Sequence, residues 1–263
     1  MEVIGFTAAI LVGVILGILG SGGSILSVPI LVYLFKMDTT IATASSLFIV
    51  GISSLIGTIP KYKQDLIDFK TAFLFGLPAV ITVFFTRLFI VPNIPTEIFQ
   101  ISGFMITKSI LIMLVFAIMM IFSSISMIRK NYEEAAEQIS RNYLLIFSKG
   151  SFVGFLTGFV GSGGGFMIIP ALMFLCKLTP KKAIGTSLLI IAANSLIGFM
   201  VDLSIHHSDF NWKILITFTT LTIIGIFIGS YFTKFIDGKK LKIGFGWFIL
   251  SIGIYIIAHE LLF

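Results

Sequence analysis

The sequence predicts an all-α integral membrane protein built from two inverted repeats, each a glycine-broken helical hairpin followed by three transmembrane helices. Three observations lead there. Hydrophobic residues make up 57% of the chain and charged residues only 11%, with a mean hydropathy of +1.10, whereas a soluble domain carries about 25% charged residues. Apolar runs long enough to cross a hydrocarbon core of about 30 Å recur along the whole length and leave no room for a separate soluble domain. The segment Gly13 to Gly57 also recurs as Gly154 to Gly198, with about 18 of 45 positions identical at one constant offset. Asp68-Phe69 returns as Asp209-Phe210, so the match outruns the glycines.

The apolar blocks of the first repeat, residues 1–128, are Val3 to Phe35, Ile41 to Ile59, Thr71 to Val91 and Gly103 to Ile128. Those of the second, residues 144–263, are Leu144 to Cys176, Ala183 to Leu203, Trp212 to Phe235 and Leu241 to Leu262. All are rich enough in Ile, Leu and Phe for lipid-facing helices. Residues 129–143 carry Arg129, Lys130, Glu133, Glu134, Glu137 and Arg141 without an apolar face wide enough to insert, and are read as a linker. Val3 to Leu19 has the length of a secretory signal, but Glu2 replaces a basic start and glycine-rich sequence replaces a cleavage site, so it is expected to stay. The single cysteine, Cys176, excludes an internal disulfide framework and is expected to pack inertly.

The first block of each repeat is too long for one ordinary crossing: about 33 residues at 1.5 Å each make nearly 50 Å. Each must fold back or cross twice, and either way the chain returns to its starting side. Lysine and arginine agree with that parity. Lys61, Lys63 and Lys70 mark one connection, Arg129, Lys130, Arg141 and Lys149 the linker, Lys177, Lys181 and Lys182 a third, and Lys234, Lys239, Lys240 and Lys242 a fourth. All four are expected on the cytoplasmic face, and the connections at Pro92 to Pro95 and His206 to Asp209, almost bare of Lys and Arg, on the outer face. Three further crossings per half then make the repeats antiparallel. The expected location is the inner (plasma) membrane, multi-pass, with both termini outside and the linker inside. The net charge of +6 is thereby explained by topology, and no nucleic-acid partner is expected.

At Gly20-Ser21-Gly22-Gly23 and Gly161-Ser162-Gly163-Gly164-Gly165 the chain can take backbone angles closed to other residues, and a ligand can approach the amides closely. Helices restarting near Ser24 and Gly165 would present unpaired N–H groups and the positive end of a dipole, and the serines would add hydroxyl donors. Such a site prefers anions, and inverted halves would aim two helix starts at one central volume. Close packing of small residues is the other reading, and Gly13, Gly17 and Gly20 at helical spacing fit it. Ser24 stands where the second copy has Gly165, so the half-sites are expected to be unequal. Pro29 and Pro170, each inside the short helix after a break, are expected to bend it.

The next helix of each half adds Ser45, Ser46, Ser53 and Ser54, or Thr186, Ser187, Asn194 and Ser195. Several lie seven apart, hence on one face, which either lines a cavity or packs closely. Ser46 corresponds to Ser187 and Ser54 to Ser195, which favours those pairs. Arg87, Lys108, Asp202 and Lys213 fall near segment ends, where snorkelling to the interface is expected; an outer vestibule charge is the second reading of Arg87. His206 and His207 are adjacent and poorly placed to converge on a metal. No HExxH, Walker-type or cysteine-cluster pattern is present, so no enzyme activity, metal or cofactor is expected.

The doubled Gly-x-Gly-Gly segment followed by a proline, Gly20 to Pro29 and Gly161 to Pro170, resembles the TauE/SafE sulfite exporter family of membrane permeases. The likeness covers nearly the whole chain and is strongest over the two repeated segments. It implies a carrier of sulfite, an organosulfonate or a related sulfur oxyanion or organic anion. The expected mechanism is alternating access by a secondary transporter, with the anion held at Gly20, Ser21, Gly22, Gly23, Ser24, Ser46, Gly161, Ser162, Gly163, Gly164, Gly165, Ser187 and Asn194. An anion channel, or a membrane scaffold or enzyme, stand as alternatives. Oligomeric state, direction and coupling ion are open.

Overall fold

The computed structural model describes residues 2–20, 23–101, 104–129, 143–205, 209–232 and 238–262. The first half of the chain runs α1 (Glu2–Leu19), α2 (Ser24–Pro29) continuing as a π-helical turn Ile30–Leu34, α3 (Thr39–Lys63), and α4 (Phe69–Phe85). A second π-helical turn, Thr86–Ile90, a short α5 (Val91–Asn93), a hairpin β1 (Glu97–Ile101) and β2 (Phe104–Thr107), and α6 (Lys108–Arg129) complete it. The second half runs α7 (Tyr143–Val160), α8 (Gly165–Leu175), α9 (Pro180–Ile205), α10 (Trp212–Phe232) and α11 (Gly238–Leu262). Five stretches among the described residues are long and apolar enough to cross a membrane: Thr39–Lys63, Phe69–Asn93, Lys108–Ile125, Pro180–Ile205 and Trp212–Phe232. The linker at 130–142, His206 and His207, and Lys234 lie outside the described residues.

Both long blocks fold back. The Phe6 and Phe35 rings meet at 5.3 Å between centroids, and Gly23 lies against Val12 and Leu16, so the two limbs of the first hairpin run antiparallel. In the second, Gly164 abuts Thr157, and Ile146, Met173 and Cys176 share one apolar cluster. Each block therefore leaves the bundle at the end where it entered.

The hairpin β1–β2 corrects the reading of Gly103 to Ile128 as one apolar helix. Ile101 pairs with Phe104 and Gln100 with Met105, and Phe99, Ile101, Phe104 and Ile106 are strand-forming residue types. The helix itself begins only at Lys108. The Asp-Phe repeat also has a different meaning in three dimensions. Asp68 caps α4, accepting from the Thr71 amide at 3.0 Å, whereas α10 is capped by Asn211, which accepts from the Ile214 amide at 3.2 Å. The counterpart of Asp68 is therefore Asn211, two positions beyond the matched Asp209.

Glycines set the packing of the helices. Gly13 and Gly17 of α1 sit on the backbone of Thr222, Gly225 and Ile226 in α10, with the Thr222 hydroxyl donating to the Ala9 carbonyl at 3.3 Å. In the other half Gly150, Gly154 and Gly158 of α7 sit on Phe75, Ala79 and Val83 of α4. Small residues let the backbones approach to near contact. At the centre α3 crosses α9, with Gly51 against Leu196, Gly57 against Leu188 and Gly198 against Leu47, a register that makes the two helices antiparallel. Helices α6 and α11 pack against each other.

The ends of the bundle differ. At one, the Tyr33 hydroxyl donates to Glu260 Oε1 at 2.9 Å and the hydroxyls of Thr39 and Ser109 are bonded. At the other, the Asp68 amide donates to Thr186 Oγ1 at 2.9 Å and Gly185 abuts Leu66. The second end carries the Lys61–Lys63 and Lys181–Lys182 groups.

Candidate functional site

Four glycines at the breaks hold left-handed backbone: Gly20 at φ +74, Gly161 at +73, Gly163 at +68 and Gly164 at +71. A side chain at any of them would be strained, which explains residue choice beyond packing. Gly20 and Gly161 close the preceding helices, their amides donating to Leu16 and Thr157 carbonyls at 2.7 and 2.9 Å. Gly20 thus parts company with Gly13 and Gly17, which serve helix contact. The breaks are unequal: Gly164 precedes α8 in left-handed backbone, while Gly23 precedes α2 at φ −64. Gly23 is small instead because Val12 and Leu16 leave no space for a Cβ. Ser21 and Gly22 lie outside the described residues, as does the side chain of Ser24, the first residue of α2.

The second tip reaches the middle of the bundle. Gly163 touches Val50 of α3 and Ile191 and Ser195 of α9, residues near the midpoints of those spans. Deeper contacts repeat between halves: Gly20 sits on Ile184 and Gly161 on Thr43, positions that correspond under the repeat. Gly165 opens α8 and is buried. After Pro29 the helix widens into its π turn, while Pro170 lies within an α-helix that runs on to Leu175.

The small polar residues divide into satisfied and unsatisfied groups. Ser46 and Ser27 share a bond of 2.6 Å between α3 and α2, and the Ser187 hydroxyl donates to the Ile184 carbonyl at 2.9 Å. By contrast, the hydroxyls of Ser45, Ser53, Ser54, Ser162 and Ser195 and both amide atoms of Asn194 are buried with no partner among the described residues. An unpaired buried polar atom costs about 1–3 kcal/mol, so this many of them on α3, α9 and the second tip of an apolar bundle point to a ligand or water. Of the two corresponding pairs, Ser54 and Ser195 keep open donors, whereas Ser46 and Ser187 are spoken for.

Arg87 and Asp202 overturn the expectation of snorkelling. Arg87 is 0% exposed and Asp202 3%, and Arg87 Nη1 donates to Asp202 Oδ2 at 2.9 Å and to Thr43 Oγ1 at 3.3 Å. Snorkelling fails because both side chains point into the bundle and each neutralises the other away from water. Arg87 lies in the π-helical turn after α4 and rests on Gly161 of the second break. One signal was legible: Arg87 and Asp202 precede two connections assigned to the same face, so opposite charges were due at one depth. Lys213, in contrast, is exposed.

An open groove of about 450 Å³ between α4 and α9 is lined by apolar side chains such as Phe73, Leu77, Val80 and Ile197. It includes no residue of either glycine break and offers an anion no side-chain donor.

Comparison with known proteins agrees with this architecture. The family model described as sulfite exporter TauE/SafE matches residues 5–256. A "Probable membrane transporter protein" of Xylella fastidiosa (strain Temecula1) is 28% identical over 255 residues, covering 94% of this chain and 91% of that protein. Proteins carrying the same description are 28% identical in Methanocaldococcus jannaschii, over 78% of this chain and 75% of the relative, and 29% identical in Bacillus subtilis (YunE), over 79% and 81%. No solved structure matches the chain. With its broken hairpins, its spans and a family match over nearly its whole length, the chain belongs to the sulfite exporter TauE/SafE family, whose relatives here are described as membrane transporters rather than enzymes.

Proposed function

We propose that the chain is a secondary transporter of small oxyanions, with sulfite, organosulfonates and related organic anions as its cargo, working by alternating access. One observation carries this reading: Ser53 and Ser54 of α3, Asn194 and Ser195 of α9 and Ser162 of the second glycine tip hold buried side-chain polar atoms without a partner among the described residues, and Gly163 of that tip rests on Val50 of α3 and Ser195 of α9. Hydroxyl and amide N–H groups beside left-handed glycines favour negative cargo, and the family's description, which names sulfite export, points the same way.

Inverted repeats are part of this proposal. The antiparallel crossing of the counterparts α3 and α9, and the exchange of partners in which α1 packs on α10 and α7 on α4, support a two-fold relation between the halves. Rocking one half against the other would then expose the central volume to each side in turn. The end bearing Lys61, Lys63, Lys181 and Lys182 is assigned to the cytoplasm, which puts both termini outside the inner membrane.

Proteoliposomes holding the purified protein test the reading. Preloaded unlabelled sulfite is expected to drive transient accumulation of external radiolabelled sulfite, and Gly163→Val to abolish it. Flux without counterflow would make the protein a channel, and absence of flux for sulfite, sulfonates and carboxylates alike would refute anion transport.

A further inference from the structure

Asp202 occupies only one corner of the Arg87 guanidinium. Nη1 carries the bonds to Asp202 and Thr43, while Nε and Nη2 are buried with no hydrogen-bond partner among the described residues. Those two nitrogens form one edge of the planar group, whose parallel N–H bonds match two oxygens carried on a single atom. Nη2 faces Gly161: a Cβ there would overlap it, as it would Thr43 on the other side. The left-handed glycine of the second break therefore lets the backbone come up to this edge, where any side chain would displace the guanidinium. The guanidinium is fully buried, and a buried N–H pair left unsatisfied is costly.

The arrangement is not a general packing device of the fold. Aligning α4 with α10 from their first residues and α3 with α9 by the repeat sets Ser230 opposite Arg87 and Lys61 opposite Asp202. The related position in the other half thus has neither this cation nor this acid. Arg87 also lies in a π-helical turn, a local widening of the helix that recurs at functional sites.

We propose that the Nε/Nη2 edge of Arg87, at the Gly161 break, is a two-point clamp for an oxyanion that presents two oxygens on one atom, as sulfite, sulfonates and carboxylates do. This rests on the reading of the chain as an anion transporter and assigns its charge-bearing contact. With Asp202 held on Nη1, the bound anion engages a cation already oriented and dehydrated. The clamp lies toward the Tyr33–Glu260 end of the bundle, near the end of α9 that carries Asp202, so it serves one access face and the central serines serve the midpoint.

The test uses the purified full-length protein in detergent, titrated at fixed ionic strength with sulfite, methanesulfonate, acetate and chloride while the thermal midpoint is read. At least one of the three oxyanions is expected to raise the midpoint saturably and chloride is not. Arg87→Lys keeps the charge but removes the two-donor edge, and is expected to weaken the best ligand at least tenfold. Arg87→Met combined with Asp202→Leu removes both charges together and strands neither; it serves where the lysine variant does not fold, and is expected to lose the response. Equal responses in wild type and a folded variant would overturn the clamp and leave anion transport standing, as would a chloride response matching that of the oxyanions. Silence of the wild-type protein toward all three oxyanions would overturn the clamp and the transport reading together.

Discussion

Gly163 and Ser195 meet at the centre of the bundle: a Cβ on this glycine would stand 2.5 Å from Ser195 Oγ and 3.0 Å from Val50 Cγ1. The backbone at Gly163 is left-handed as well, at φ +68. Gly163→Ala is therefore expected to cost about 1–2 kcal/mol of stability from backbone conformation alone. It should also crowd the Ser195 hydroxyl, so sulfite flux should fall by more than the loss of folded protein explains. Flux assays normalised to folded protein, as judged by size-exclusion chromatography, check this.

Asn194 should separate stability from function. Both its amide atoms are buried without a partner among the described residues, so Asn194→Leu removes unsatisfied groups and is expected to raise the thermal midpoint, by about 1–3 kcal/mol in equivalent stability. The same substitution should lower anion flux. A variant that loses both stability and flux would mark Asn194 as a packing residue.

Two glycines give opposite expectations for one substitution. Gly154→Ala drives a methyl into the Ala79 backbone, with Ala79 Cα only 2.7 Å from the new Cβ. Neither backbone can yield without separating α7 from α4, and the cost should exceed 1 kcal/mol. Gly244 in α11 meets nothing within 4 Å, so Gly244→Ala should stabilise by up to about 1 kcal/mol through helix propensity. Thermal melts of the two variants side by side make the comparison.

Capping predicts a smaller effect at the start of α4. Asp68 accepts from the Thr71 amide, while its own amide donates to Thr186 Oγ1 in α9. Asp68→Ala is expected to cost about 1 kcal/mol. Asp68→Asn should recover most of it, since Asn211 performs the same task for α10. Midpoints of the two variants test the order.

Cys176 should be a slow thiol. Burial, and then the negative charge of Asp68, push its pKa up to about 11, leaving on the order of 0.1% thiolate at pH 8. Since the thiolate is the nucleophile, alkylation of the folded protein should be slow at pH 8 and rise about tenfold per pH unit up to pH 10. Denaturant should remove the lag, as mass spectrometry of the labelled protein would reveal.

The sequence by itself determined the helical membrane class, the two broken blocks and the polar face of α3 and α9. Each of these is a local or repeated property: an apolar run either spans a bilayer or does not, and consecutive glycines weaken a helix wherever they stand. The hairpin at Phe99 and Ile106 was also written locally, in strand formers such as Ile101 and Phe104, but an apolar run of that kind does not separate strand from helix by periodicity. Tertiary structure alone decided which serines keep open donors, because that depends on whether a neighbour such as Ser27 lies across the helix interface. It likewise decided the fate of Arg87, whose charge is tolerable at depth only because folding brings Asp202, distant in sequence, to within 2.9 Å. Position along the chain cannot distinguish a snorkelling cation from a buried one, since the difference lies in what the opposite helix offers at the same depth.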